Sequence, residues 1–104
     1  MMRVIHLFQL KPGASEQRML ELIDGEWATY VLSKGCIERR TMRLFEARGG
    51  DEQRAPYLNE ALWPDQATAD NAFAEMPERI RNLQEELFAI MDRDNGATFS
   101  YVDF

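Results

Sequence analysis

The 104-residue sequence predicts a single α+β domain, residues 1–104, with element order β-α-β-β-α-β. Three observations predict it. Residues 3–11 and 57–63 alternate with period two, as half-buried strands do. Two longer stretches carry apolar residues at spacings of three and four, the signature of amphipathic helices. Pro12-Gly13, Gly35, Gly49-Gly50 and Asn95-Gly96 punctuate the segments.

In chain order, the first strand places Val4, His6, Phe8 and Leu10 on one face and Ile5, Leu7 and Gln9 on the other. Ser15 is placed to cap a helix running to about Lys34, with a stripe of Leu20, Ile23, Trp27 and Val31 widened by Met19, Leu22 and Tyr30. Gly25, mid-helix, costs about 1 kcal/mol against Ala and points to a bend or a close contact. Lys34-Gly35 stops the helix. Residues 36–47, rich in Arg, read as an edge strand, with Arg39, Arg40 and Arg43 forming a solvated margin, from which one could instead pair with a ligand carboxylate or a partner copy's Glu. Arg48 to Ala55 is a hairpin connection to a strand at 56–63. That strand sets Tyr57, Asn59, Ala61 and Trp63 against Leu58, Glu60 and Leu62. Pro64 ends it and Asp65 caps the next helix. The stripe Phe73, Met76, Ile80, Leu83, Leu87 and Ile90 continues across Pro77, predicting a short helix, a break and a longer helix to about Arg93. Asn95-Gly96 is read as its stop, and 98–104 as the last strand.

Two right-handed crossovers sharing a hairpin give a ferredoxin-like arrangement, a four-stranded antiparallel sheet with the helices on one face. The first and last strands are apolar on both faces, so the uncovered face would leave a large apolar patch in water. A homodimer packing sheet against sheet would bury it, over more than about 1,000 Å².

The net charge of −6 argues against a nucleic-acid partner and against an anionic membrane surface. No apolar run reaches the roughly 20 residues that span a bilayer, and the start lacks a signal-peptide pattern, so a cytoplasmic setting is expected. One cysteine, Cys36, is expected as a small buried side chain. With His6 the sole histidine, no metal site and no cofactor are expected.

Two segments carry a resemblance. Leu7 through Gly13, Leu-Phe-Gln-Leu-Lys-Pro-Gly, resembles the end of the first strand in the stress-responsive dimeric α/β-barrel (Dabb) proteins. Trp63 through Pro77 resembles the antibiotic biosynthesis monooxygenase pattern, a strand-end Trp followed by a capped helix. The resemblance covers nearly the whole chain and implies a dimeric α+β barrel. In cofactor-independent, quinone-forming members an Asn and a Trp four residues later help bind a phenolic substrate; Asn59 and Trp63 match that spacing. The helix position of the heme-binding His in heme-degrading relatives is near Glu75 here, which argues against heme chemistry. Of the two His of cyclase relatives, His6 matches the first, two residues displaced, and the second is absent.

The first and third strands are expected as antiparallel neighbours, with His6 near Ala61 and Trp63. His6, Phe8, Asn59 and Trp63 would then converge beneath the helices, with Trp27 and Tyr30 as roof. That is an aromatic pocket with two polar handles. His6 is the candidate general base, Asn59 the oxyanion stabiliser and Trp63 the orienting ring. The expected ligand is a small apolar, aromatic, polyketide-like or lipid-like molecule, handled by oxygenation or proton transfer. The alternative is a non-catalytic ligand-binding or stress-related dimer in which His6 and Asn59 are structural.

Overall fold

The structure, a computed structural model, describes residues 1–49 and 55–104. Most of the Arg48–Ala55 connection, with Gly50, lies outside the described residues. Strands β1 (Met2–Leu10), β2 (Glu38–Arg43), β3 (Tyr57–Trp63) and β4 (Met91–Val102) form one sheet in the order β2-β3-β1-β4. All neighbouring pairs are antiparallel. Four helices, α1 (Glu16–Ile23), α2 (Glu26–Ser33), α3 (Gln66–Ala74) and α4 (Glu78–Ile90), cover one face. This is the ferredoxin-like topology expected from the element order.

Local chemistry sets the boundaries. Ser15 Oγ accepts the Arg18 backbone N–H at 3.1 Å, and Asp65 Oδ1 accepts that of Thr68 at 2.8 Å, so both predicted caps form. Gly35, at φ +109°, turns the chain after α2. Gly25 does more than bend a helix: it splits one expected helix into α1 and α2. A Cβ there would lie 2.4 Å from the Glu21 carbonyl oxygen, and Gly25 occupies the N-cap of α2. The split rotates the stripe, leaving Leu20 exposed while Met19, Leu22, Ile23, Tyr30 and Val31 are buried.

The chain end also differs from expectation. α4 stops at Ile90, and β4 begins at once with Met91, which pairs with Leu10 and is 2% exposed. The Lys11 N–H donates to the Ile90 carbonyl at 2.9 Å and ties this junction to the end of β1. Burial of Met91 against β1 outweighs the helical periodicity that runs on towards Arg93. Asn95-Gly96 therefore stops no helix. Gln9 pairs with Asp92 and Leu7 with Ala97, so residues 93–96 bulge opposite Phe8. A Cβ on Gly96 would come within 2.9 Å of the Leu7 carbonyl oxygen, a close approach that glycine permits.

Register fixes which residues share a face. The covered face carries a row Thr41–Asn59–His6–Thr98 across all four strands, and the next row is Arg39–Ala61–Val4–Ser100. His6 thus lies directly opposite Asn59, while Ala61 faces Val4 and Trp63 faces Met2. The expected offset is two residues too far along β3. The open face carries Met42–Leu58–Leu7–Ala97, then Arg40–Glu60–Ile5–Phe99, then Glu38–Leu62–Arg3–Tyr101.

Under the helices the core is in two parts. One gathers Trp63, Tyr30, Val31, Cys36, Met76 and Ile80; the other gathers Phe8, Met19, Leu22, Ile23, Leu87 and Met91. Trp27 and Leu83 pack against both. Cys36 is buried, and its thiol, which donates to the Glu38 carbonyl at 3.3 Å, is pushed above its ordinary pKa by that burial.

Candidate functional site

A cavity of about 180 Å³ lies between the two parts of the core, floored by the sheet and roofed by the helices. His6, Asn59, Trp63, Trp27, Gln84 and Thr98 line it, and its wall is otherwise largely apolar. Of the residues singled out from sequence, His6, Asn59, Trp63 and Trp27 meet there. Phe8 and Tyr30 do not. Phe8 is fully buried behind His6, its ring 5.6 Å from the imidazole and stacked on Tyr57 at 5.5 Å. Tyr30 is turned into the core, where its hydroxyl donates to the Ala72 carbonyl at 2.6 Å. Trp63 is 2% exposed and rests against Phe73, ring centroids 6.1 Å apart.

His6 and Asn59 are direct cross-strand partners, which brings their Cβ atoms to about 4.5–5.5 Å. Burial lowers the pKa of His6 below its ordinary 6.5, and the nearby Arg93 guanidinium lowers it further. The imidazole is therefore neutral at pH 7, able to accept a proton. Its side chain makes no hydrogen bond among the described residues. Arg93, in the β4 bulge, lies over the Phe88 ring at 4.4 Å, and Phe88 is part of the cavity wall.

Arg39 was not expected here. An Arg-rich edge strand predicts a solvated side chain here, as for Arg40 and Arg43, yet that of Arg39 is only 6% exposed. Its place on β2 opposite Ala61 turns it under the helices, whereas Arg40 opposite Glu60 turns to the open face. Arg39 donates to Asp24 Oδ1 at 2.8 Å, to Thr41 Oγ1 at 2.8 Å and to Asn59 Oδ1 at 2.9 Å. It also lies 5.6 Å from the centre of the Trp27 ring, a cation–π contact. Its Nε is buried without a partner among the described residues. Gln84 was missed too: its Oε1 accepts the Trp27 indole N–H at 3.0 Å. A signal existed for it, since Gln84 falls four residues after Ile80 and three before Leu87, on the apolar stripe of α4.

Among the described residues no group of three His, Cys, Asp or Glu side chains is arranged to hold a metal ion. The cavity's chemistry is that of one neutral imidazole, two carboxamides, a hydroxyl and indole rings.

No family model matches the chain, and no curated protein matches it in sequence. Solved structures do match its fold. A protein from Arabidopsis thaliana superposes with a TM-score of 0.77 at 12% identity, covering 100% of this chain and 96% of that one. SnoaB, a cofactor-independent oxygenase from Streptomyces nogalater, gives 0.72 at 12% identity, covering 99% and 92%. A Dabb family protein with a ferredoxin-like fold from Mesorhizobium loti gives 0.70 at 12%, covering 99% and 96%. The fold is shared with these proteins over essentially the full chain. It is the fold that the Dabb-like and monooxygenase-like segments implied.

Proposed function

We propose that the chain binds a small aromatic or polyketide-like molecule in the cavity between sheet and helices and acts on it without a cofactor. The observation that carries this reading is the pairing of a neutral His6 with Asn59 on the floor of an otherwise apolar, indole-lined cavity. In this reading His6 takes a phenolic or α-carbon proton, Asn59 stabilises the oxyanion left behind, and Trp63 and Trp27 hold the ring. Reaction of such an anion with dissolved O₂ oxidises a CH₂ to a carbonyl and releases the second oxygen atom as water, while its reprotonation at another atom completes a proton transfer. The fold shared with a cofactor-independent oxygenase supports the class of chemistry.

The protein is further proposed to work as a cytoplasmic homodimer through the open sheet face, where Met42, Phe99 and Tyr101 are each at least 42% exposed. No helix among the described residues is long and apolar enough to cross a membrane.

Native mass spectrometry of freshly purified protein would identify the ligand as an adduct that leaves on denaturation. Turnover of that ligand by His6→Ala is then predicted to fall by about 10²–10⁴-fold with the fold intact. Unchanged turnover would remove His6 from the mechanism. One observation favours a non-catalytic dimer instead: among the described residues no carboxylate or second histidine orients His6. In that case the ligand is recovered unaltered after incubation in air.

A further inference from the structure

The two carboxamides of the cavity are each held by a partner that can only donate. A guanidinium has no acceptor, so the Asn59 atom facing Arg39 at 2.9 Å is necessarily its oxygen. An indole N–H likewise only donates, so the Gln84 atom facing Trp27 at 3.0 Å is its oxygen. The orientation of each amide, which side-chain shape alone leaves ambiguous, is settled by its neighbour. In both cases the end left over is the NH₂ group, and neither NH₂ has a hydrogen-bond partner among the described residues. The indole N–H of Trp63, in the same wall, has none either.

One side chain orders the whole arrangement. Arg39 is anchored by Asp24, pairs with Asn59 directly, and lies over the Trp27 ring whose N–H holds Gln84. Sequence distance hides this, since Asp24, Arg39, Asn59 and Gln84 come from the α1–α2 junction, β2, β3 and α4.

We propose that the cavity is a donor-lined site selecting ligands by acceptor oxygens, carbonyl or phenolate, and that Arg39 is the positioning residue setting this preference. The inference rests on the cavity being a ligand site, as proposed above, and adds what the ligand must present. A ligand that shows only apolar or N–H edges covers the two NH₂ groups of the cavity wall without pairing them; one that shows oxygens can accept from them. The geometry fits a cyclic ketone or a phenolate better than a hydrocarbon of the same shape.

The test compares 1-tetralone with tetralin, the same bicycle with and without the carbonyl, by isothermal titration calorimetry. Wild-type protein is expected to bind the ketone roughly tenfold more tightly, the effect of one satisfied hydrogen bond. Asn59→Asp keeps an oxygen for Arg39 and replaces the NH₂ by an acceptor; it is expected to lose the ketone preference, with the two probes binding within about threefold of each other. On wild-type protein, the side-chain amide NMR signals of Asn59 and Gln84 should move with tetralone and stay still with tetralin. They report the contact even if the variant fails to fold. Equal affinities for the two probes, or unmoved amide signals with bound ketone, overturn the donor-lined site and leave the cavity standing. Failure of both probes to bind overturns the ligand site itself, and this inference with it.

Discussion

His6 shows how burial shifts the protonation of a common residue. Its pKa is held below the ordinary 6.5 because desolvation and Arg93 both penalise the imidazolium. The sign of the consequence follows from linkage. Between about pH 6.5 and the lower folded value, the unfolded chain binds a proton that the folded chain does not, so stability falls as the solution is acidified through that window. Urea denaturation at pH 7.5 and pH 5.5 is predicted to show a larger loss for wild type than for His6→Leu, which lacks the titrating group. Equal losses would mean that the imidazole is freely solvated. At this scale the site was partly legible. Asn59, Trp63 and His6 stand out because alternation assigns them to one face and because an Asn inside a strand needs partners. Arg39 did not stand out, since edge-strand arginines are ordinarily solvated and only the β2–β3 register reveals which of Arg39 and Arg40 is turned inward.

Elements were legible where a local signal and tertiary packing agree. β1, β3 and the caps Ser15 and Asp65 are such cases, and so is the break at Pro77, which caps α4 rather than interrupting it. They were not legible where packing overrides a period. The apolar spacing of 16–34 is continuous, yet Gly25 divides it; the spacing of α4 continues towards Arg93, yet Met91 leaves the helix to pair with Leu10. Gly25 is therefore a structural junction rather than a tolerated weak spot. Gly25→Ala is predicted to destabilise the fold by about 2 kcal/mol, more than the loss of backbone freedom would suggest, because its Cβ would sit 2.4 Å from the Glu21 carbonyl. An unchanged denaturation midpoint would show that α1 and α2 fuse into one helix without strain.

For the whole molecule, the open sheet face is the surface on which the proposed dimer would form. Its rows combine apolar side chains with Glu60, 8% exposed, which accepts from Arg40 at 2.9 Å and is also paired with Arg3. The hydrogen bond from Arg40, followed by that from Arg3, holds the Glu60 carboxyl below its ordinary pKa despite its burial. A partner copy laid on this face would meet a compact ion cluster flanked by hydrocarbon, a surface that favours one stacking register over others. Phe99→Asp sets a charge beside Ile5 on that face, from the edge strand β4. Sedimentation velocity is predicted to show a dimer for wild type and a monomer for the variant, with unaltered circular dichroism. A wild-type monomer would mean that the face is tolerated in water.

The cavity between the two halves of the core has a bearing on how the protein can change. Roughly 180 Å³ left unfilled by side chains corresponds to about 4 kcal/mol of forgone packing at about 24 cal/mol per Å³. Selection for heat resistance alone would close it. Ala61→Leu, projecting from the cavity floor, is predicted to raise the melting temperature by roughly 5 °C and to abolish binding of 1-tetralone. The hollow and a higher melting temperature are therefore alternatives at this one position.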